Sequence, residues 1–189
     1  MRINCSPAGC LLLLLTVVLW SPSPLAKSPV FSLLNTGGAN VTEAAFIGKF
    51  HLVFFGYRHC QHTCPVSLSA MAQALNMLGQ IAEKQVVPVF VSVDSQRADA
   101  AALKVFAEAF HPAMTALYGS ADDIKKANYE FKVLVTKLPS RQSQDYEISH
   151  SSSTYLLDPS GAIVEQYAYG TSASVIAKNL AARIKSVSQ

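Results

Sequence analysis

The sequence predicts an α/β fold in which a central mixed sheet is flanked by helices, followed by a C-terminal β-hairpin and a closing helix. Three observations lead to this prediction. Short apolar runs alternate with longer stretches whose apolar residues recur every three or four positions, in the order strand, helix, strand, helix. Near the C-terminus, Asp158-Pro-Ser-Gly161 separates two further strand-like runs. A chain of 189 residues has room for one such domain with a full core.

The first segment has the features of a secretory signal peptide. Arg2 is followed by an uncharged apolar run over residues 11–20 and then by small residues that end at Ala26. A membrane-spanning helix needs about 20 apolar residues, and this run is shorter. We therefore predict a signal peptide over residues 1–26 and a domain over residues 27–189, with an uncleaved N-terminal anchor as the alternative. The mature chain would be exported, to the periplasm if the source is bacterial.

Charge and cysteine content narrow the function classes. Removal of residues 1–26 lowers the net charge from +3 to +2, because Arg2 is the charged residue that leaves. Such a small excess gives no reason to expect a nucleic acid or a strongly acidic partner. Cys5 and Cys10 leave as well, so Cys60 and Cys64 are the cysteines of the mature chain in an oxidising compartment.

The first half of the chain alternates strands and helices. Residues 51–55 are almost wholly apolar and end at Gly56, which predicts a buried strand. Pro65 suits the first position of the helix that follows, whereas Pro88 disfavours a central position for the next strand. In order, the predicted elements are an N-terminal segment with a turn and a short helical turn (27–50), a strand (51–55), a helix (65–84), a strand (86–93) and a helix (98–110).

The second half begins with a helix and ends with one. Ser120 and Asp123 have the spacing of a capping box, with Asp in place of Glu, and Ser172 is placed to cap the final helix. Residues 136–149 are polar and predicted to be irregular. The predicted elements are a helix (120–128), a strand (131–135), two hairpin strands (154–157 and 163–169) and the final helix. This order of elements is typical of the thioredoxin-like fold.

The most informative stretch is HCQHTCP, residues 59–65, between the first predicted strand and helix. Cys64 is expected at or beside the helix N-cap, where free N–H groups and the helix dipole favour a thiolate. With Cys60 on the approach loop, the pair could form a structural disulfide, a redox-active dithiol or a soft-metal site. A bridge across three residues constrains the unfolded chain little, which disfavours the first option. Two thiolates suit Cu(I), with imidazole as a common third ligand.

A metal site would need a third ligand, and the chain has five histidines. His51 is expected at the edge of a buried strand, and His111 at a helix end, where it would cap carbonyl groups. His59 and His62 lie in the loop beside the thiols, where a solvated histidine is more common than a ligand. His150 lies far along the chain, and the residues alone do not single it out.

Several motifs together resemble the Sco/SenC family. They are Phe55-Gly-Tyr-Arg-His-Cys-Gln-His-Thr-Cys-Pro65, Val91-Ser-Val-Asp94, Asp145-Tyr-Glu-Ile-Ser-His150 and Tyr155-Leu-Leu-Asp-Pro-Ser-Gly161. They occur in the family's order and spacing over residues 30–185. The resemblance implies an exported protein of thioredoxin fold that assists assembly of the copper centre of cytochrome c oxidase. It implies copper as the bound metal, as Cu(I), with Cu(II) as a further state.

The resemblance also implies roles for individual residues. The family's copper ligands fall on Cys60, Cys64 and His150. Asp94 matches an acidic residue that follows the central strand in the family, and capping of the next helix is its alternative role. Gln61 and His62 stand where the family commonly carries other residues between the cysteines, and His59 precedes the first cysteine. Asp94, His59 and His62 are therefore candidates for supporting residues around the ligands.

Two functional hypotheses remain. The first is a copper-binding assembly factor that delivers copper to the copper-site subunit of cytochrome c oxidase, or reduces its thiols. A thioredoxin-like reductant or a copper donor would be a second partner, and the recipient would bring the protein near a membrane. The alternative is an exported thiol–disulfide oxidoreductase that uses the dithiol of Cys60 and Cys64 without copper. His150 separates the two, because only a metal site needs it. A zinc site would need a fourth protein ligand. Nothing around either cysteine indicates the activated site of a peroxidase.

Overall fold

The computed structural model describes residues 28–139 and 146–187, so the predicted signal peptide lies outside the described residues. In chain order the elements are β1 (Ser32–Asn35), β2 (Asn40–Thr42), a 3-10 helix (Glu43–Phe46), β3 (Phe50–Gly56), α1 (Thr63–Leu78), α2 (Gln80–Gln85), β4 (Val86–Ser92), α3 (Ala100–Glu108), β5 (Thr115–Tyr118), α4 (Ala121–Glu130), β6 (Val135–Pro139), β7 (Tyr146–His150), β8 (Thr154–Leu157), β9 (Ile163–Tyr167) and α5 (Ala173–Val187). None of the helices in this part of the chain is both long and apolar enough to cross a membrane.

Among the described strands, seven form one mixed sheet in the order β2-β1-β5-β4-β3-β8-β9. The neighbours β3–β4 and β4–β5 are parallel, whereas the remaining neighbours are antiparallel. β8 and β9 form the C-terminal hairpin, and α5 follows it to the end of the described chain. The predicted α/β fold, with its mixed sheet, hairpin and closing helix, is confirmed.

β3 lies inside the sheet because its residues tolerate burial on both faces. All seven of them are buried, and the strand pairs with β4 on one side and β8 on the other. α1 contacts both β3 and β4 and packs against α5. Full burial of an apolar side chain of this size stabilises the fold by about 1.5–3 kcal/mol. The C-terminal end of β3, at Gly56, is therefore held firmly beside the start of α1.

The long helix predicted over residues 65–84 is two helices. α1 begins two residues earlier, at Thr63, and ends at Leu78. Gly79 then adopts a φ of +53°, a conformation that glycine reaches without a steric penalty, and α2 follows at once. The apolar spacing continued across this break, which is why the sequence pattern did not reveal it.

The region between α4 and β8 differs most from the prediction. Residues 131–134 are not a strand, because α4 extends to Glu130 and Lys132 turns the chain with a φ of +55°, and β6 begins only at Val135. The polar stretch predicted to be irregular contains β6 and β7, which pair with each other in a separate two-stranded sheet. Residues 140–145 lie outside the described chain.

Two details concern the centre of the sheet. β5 has only four residues and was not predicted. β4 is central despite Pro88, and its pairing with β5 starts only at Val89, one residue after the proline. Proline is thus accommodated at the point where one flank of the strand has no partner.

Candidate metal centre

The loop between β3 and α1 places two sulfur atoms at the first turn of a helix. Cys60 is half-buried on the loop, and its backbone N–H donates to the carbonyl of Tyr57 (3.1 Å). Cys64 is the second residue of α1 and is fully buried. His62, rather than Cys64, occupies the N-cap, and its side chain makes no capping hydrogen bond. The Cys64 backbone N–H instead donates to Cys60 Sγ (3.4 Å), so a sulfur atom accepts from the helix N-terminus.

Cys64 Sγ lies against the backbone of Gly56, the last residue of β3. A Cβ atom at position 56 would be 2.8 Å from Cys64 Sγ and 2.9 Å from Phe54 Cε1. Real Cβ atoms do not approach other atoms this closely, so the absent side chain of Gly56 provides the space for the sulfur atom. The glycine that ends the predicted strand is therefore part of the site.

His150 reaches the sulfur atoms from a different element of the fold. It is the last residue of β7, and its Nε2 atom is 3.4 Å from Cys64 Sγ. Its Nδ1–H donates to the carbonyl of Ser151 (2.9 Å), which leaves Nε2 as the nitrogen with a free lone pair in the neutral ring. The rings of Phe54 and Tyr57 lie steeply inclined to the imidazole, at 75° and 86°, with centroids 6.0 and 5.9 Å away.

Three possible ligand atoms thus converge from a loop, a helix and a separate hairpin. The Sγ atoms of Cys60 and Cys64 and a ring nitrogen of His150 all lie within 4.8 Å of one another. Both cysteines are free thiols. Two thiolates and an imidazole form a ligand set that prefers soft metal ions such as Cu(I).

The two thiols differ strongly in acidity. The pKa of Cys60 is lowered, chiefly because the Cys64 side chain hydrogen-bonds to its thiolate, while burial opposes the shift. The pKa of Cys64 is raised by that same hydrogen bond and by burial. Thr63 Oγ1, 3.2 Å from Cys60 Sγ, adds a further hydrogen bond. Cys60, the more exposed of the two, is therefore the thiol that ionises first, and Cys64 holds its proton more strongly.

A cleft with a volume of about 660 Å³ opens above Cys60. Its lining includes Tyr57, His59, His62, Arg97 and Tyr146, together with the rest of β7. A ligand from solvent or from a partner protein can therefore approach Cys60, whereas Cys64 lies beneath it, inaccessible.

The candidate supporting residues occupy different places. His59 and His62 are exposed and line the cleft, but neither belongs to the group of three converging ligands. Asp94 is only 2% exposed and is not in that group either. Its alternative role is wrong, because Asp99 caps α3 by accepting from the Ala102 N–H (2.8 Å). Asp94 instead binds Arg97 and Tyr146. No signal in the sequence connected Tyr146 with Asp94.

The other two histidines also differ from their predicted roles. His51 is not at an edge: it pairs with Val87 on one side and Leu157 on the other, and its ring stacks on Phe46 at 4.1 Å. His111 does not cap a carbonyl group, because its Nδ1 atom accepts from the Ala113 N–H (3.2 Å).

Burial of His51 predicts a pH-dependent stability. Its pKa is lowered from 6.5 to about 4, mainly because burial disfavours the imidazolium form. Between these values the unfolded chain binds a proton that the folded chain does not, so stability is lost as the pH falls from 6.5 towards 4. Between pH 7 and pH 4.5, we expect the free energy of unfolding to fall by about 2 kcal/mol less in His51→Gln than in the wild type. Urea unfolding at both pH values measures this difference, and an equal loss in the two proteins would contradict it.

Comparison with known proteins identifies the family. The sequence model of the SCO1/SenC family matches residues 21–185. The chain belongs to the SCO1/SenC family. The resemblance predicted from the motifs is thereby confirmed, and the cysteines and the distant histidine that carried it are the residues that converge in the structure.

Relatives in this family come from animals, plants and bacteria. The mouse protein SCO2 homolog, mitochondrial, is 34% identical over 151 residues, which are 79% of this chain and 59% of that protein. The crystal structure of Arabidopsis thaliana ScoI with copper bound has a TM-score of 0.79 and 30% identity, covering 84% of this chain and 98% of that one. The structure of BsSco, a member of the Sco family of cytochrome c oxidase assembly proteins with a disulfide switch, has a TM-score of 0.66 and 25% identity over 86% and 96% of the two chains. The chain spans between half and three fifths of the length of the animal SCO2 homologs it matches.

Proposed function

We propose that this protein binds copper through Cys60, Cys64 and His150 and assists assembly of the dicopper centre of cytochrome c oxidase. The convergence of these three ligand atoms within 4.8 Å of one another carries the proposal. Copper-bound structures of Arabidopsis and yeast relatives and the assembly role given for BsSco support it.

The ligand set favours Cu(I) as the form carried. Two thiolates are soft ligands, and one imidazole completes a three-coordinate site. Two thiolates and one Cu(I) have a net charge of −1, which the free N–H groups at the start of α1 stabilise. Zinc is disfavoured because a structural zinc site usually has four protein ligands, whereas three converge within the described residues. His62, exposed at the cleft, is a candidate further ligand for Cu(II).

The cleft supplies the route for transfer to a recipient. Cys64 is fully buried, whereas Cys60 and His150 line the cleft, so copper held by these residues would be approached from the cleft. A ligand of the recipient can thus bind the metal before the site releases it. The partners would be the copper-site subunit of the oxidase and a copper donor or thioredoxin-like reductant, in an exported compartment reached by means of the signal peptide over residues 1–26.

A second activity, reduction of a partner disulfide, is favoured by the unequal thiols. The Cys60 thiolate attacks one sulfur atom of the partner disulfide, forming a mixed disulfide and releasing a partner thiolate. Cys64 then gives its proton to the released partner thiolate and attacks Cys60 Sγ, which forms the Cys60–Cys64 disulfide and releases the second partner thiolate. Two electrons pass from the dithiol to the partner, and the oxidised protein can no longer offer two thiolates to copper.

Metal analysis and disulfide exchange on the same preparation test the proposal. We expect the reduced protein to retain one copper ion per chain after gel filtration, and the protein oxidised at Cys60 and Cys64 to retain none. Absence of copper from the reduced protein, together with rapid reduction of a model disulfide, would contradict copper binding and favour the oxidoreductase function instead.

A further inference from the structure

The hairpin that carries His150 has no backbone pairing with the main sheet. β6 pairs with β7, and within the described strands neither pairs with any of the seven others. The position of His150 relative to the thiols therefore depends on side chains that tie the hairpin to the rest of the domain. His150 itself ends β7, so small movements of this strand move the imidazole directly.

The hairpin is tied to the domain at the other end of β7 by three side chains: Asp94, which is buried, and Arg97 and Tyr146, which are half-buried. The side chain of Asp94, 3% exposed, follows β4. One carboxylate oxygen accepts from Tyr146 Oη (2.5 Å), and the other accepts from Arg97 Nε (2.5 Å). Arg97 Nη1 also donates to the Tyr146 carbonyl (3.2 Å), and its guanidinium lies 3.9 Å from the centre of the Tyr146 ring. Each partner thus contacts both of the others.

The loop that carries Asp94 is also fixed to the loop that leads to the thiols. The Val93 N–H donates to the carbonyl of Gly56 (2.8 Å), the residue against which Cys64 Sγ lies. Asp94 follows directly and holds Tyr146, the first residue of β7. A continuous set of contacts therefore connects the two sides of the metal centre without passing through the ligands themselves.

We propose that Asp94, acting through Tyr146 and Arg97, is a positioning residue that holds β7 closed over the thiols and sets the position of His150. This inference rests on the proposed function only in the measurement of copper affinity, because the alkylation measurement uses the metal-free protein. In the metal-free protein the same contacts keep Cys64 covered. Loss of the tie raises the fraction of molecules in which the hairpin is open, and the apparent affinity for copper falls in proportion to the fraction that stays closed.

Two variants break the tie to different degrees. Asp94→Asn removes the charge that Arg97 and Tyr146 share, whereas Tyr146→Phe removes one hydroxyl and keeps the ring beneath Arg97. Glu165→Gln is the matched control, because it disrupts another carboxylate–arginine pair, that of Glu165 with Arg183 (3.2 Å), between β9 and α5. Tyr146→Phe keeps the test decisive if Asp94→Asn does not fold.

The first readout is the alkylation of Cys64 in the metal-free, reduced full-length protein with Cys60→Ser, followed by peptide mass spectrometry so that Cys64 is resolved from Cys5 and Cys10. We expect iodoacetamide to alkylate Cys64 about tenfold faster with Asp94→Asn and severalfold faster with Tyr146→Phe. The acceleration should exceed the change in the global unfolding constant. The alkylation rate of Cys64 should also change little when urea is added at low concentration, because a local opening exposes little surface.

The second readout is Cu(I) affinity, measured by competition with a chelator with both cysteines present. We expect affinity to fall about tenfold with Asp94→Asn and less with Tyr146→Phe, and to stay at the wild-type value with Glu165→Gln. Failure of all proteins to bind Cu(I), with faster alkylation of Cys64 in the two tie variants, would overturn the proposed function and support the positioning role. Alkylation rates and affinities equal to those of Glu165→Gln would overturn the positioning role.

Discussion

Copper binding is expected to be lost in Cys60→Ser/Cys64→Ser and to weaken by about 100-fold or more in His150→Ala. The double variant removes both soft ligands, leaving a single imidazole that cannot hold Cu(I) against a competing chelator. His150→Ala keeps two thiolates but removes the third of the converging ligands. Loss of even a group that only orients a metal ligand typically costs 10–100-fold in affinity, so loss of the ligand itself should cost at least as much. Chelator competition on the reduced proteins measures all three affinities.

Two histidine controls make this series specific. His111 accepts a hydrogen bond from the Ala113 backbone and lies outside the group of converging ligands, so His111→Ala should bind copper as the wild type does. His62 lines the cleft without joining that group, and His62→Ala should keep Cu(I) affinity within a few-fold. Full copper affinity in His150→Ala, combined with a large loss in His62→Ala, would contradict the assignment and make His62 the third ligand.

Gly56→Ala is expected to damage both the fold and the site. The new Cβ would lie 2.8 Å from Cys64 Sγ, 2.9 Å from Phe54 Cε1 and 3.2 Å from Phe90 Cε2. Both rings are fully buried in the core, so neither can move without displacing its own neighbours. Overpacking of this kind lowers the free energy of unfolding by about 1–3 kcal/mol. Because the sulfur atom is one of the three contacts, Cu(I) affinity should fall as well.

Gly37→Ala is the matched control for that substitution. Gly37 is exposed, its φ is not in the left-handed region, and an added Cβ would meet only Asn35 Oδ1, at 3.3 Å. We expect urea unfolding and copper affinity to stay close to the wild-type values. A Gly56→Ala protein with unchanged stability and unchanged affinity would show that Cys64 Sγ does not occupy the space beside Gly56.

The sequence predicted the long buried strands β3 and β4 and missed strands that are short, such as β5, or mostly exposed, such as β6 and β7. β3 and β4 are apolar runs buried on both faces, and Ser120 caps α4 as its spacing indicated, accepting from the Asp123 N–H (3.2 Å). β6 and β7 are mostly exposed, and only β7 carries a short apolar alternation, of Tyr146 and Ile148 with Glu147 and Ser149. Their strand structure arises from pairing with each other and from side chains elsewhere, which a local pattern does not contain.

The sequence predicted only part of the candidate site. Two cysteines at the junction of a strand and a helix marked a site, but the residues alone left disulfide, redox and metal readings open. His150 entered only through the family resemblance, because 86 residues separate it from Cys64. The contact of Asp94 with Tyr146 spans 52 residues and had no signal at all, since its cause is the packing of a hairpin that was not predicted.

X-ray absorption spectroscopy of the reduced protein loaded with one equivalent of Cu(I) tests the central claim most directly. Cys60, Cys64 and His150 as ligands predict a copper environment of two sulfur atoms and one imidazole nitrogen, with the nitrogen contribution absent in His150→Ala. A spectrum of the wild type that shows sulfur ligands alone, or imidazole ligands without two sulfur atoms, would contradict the account.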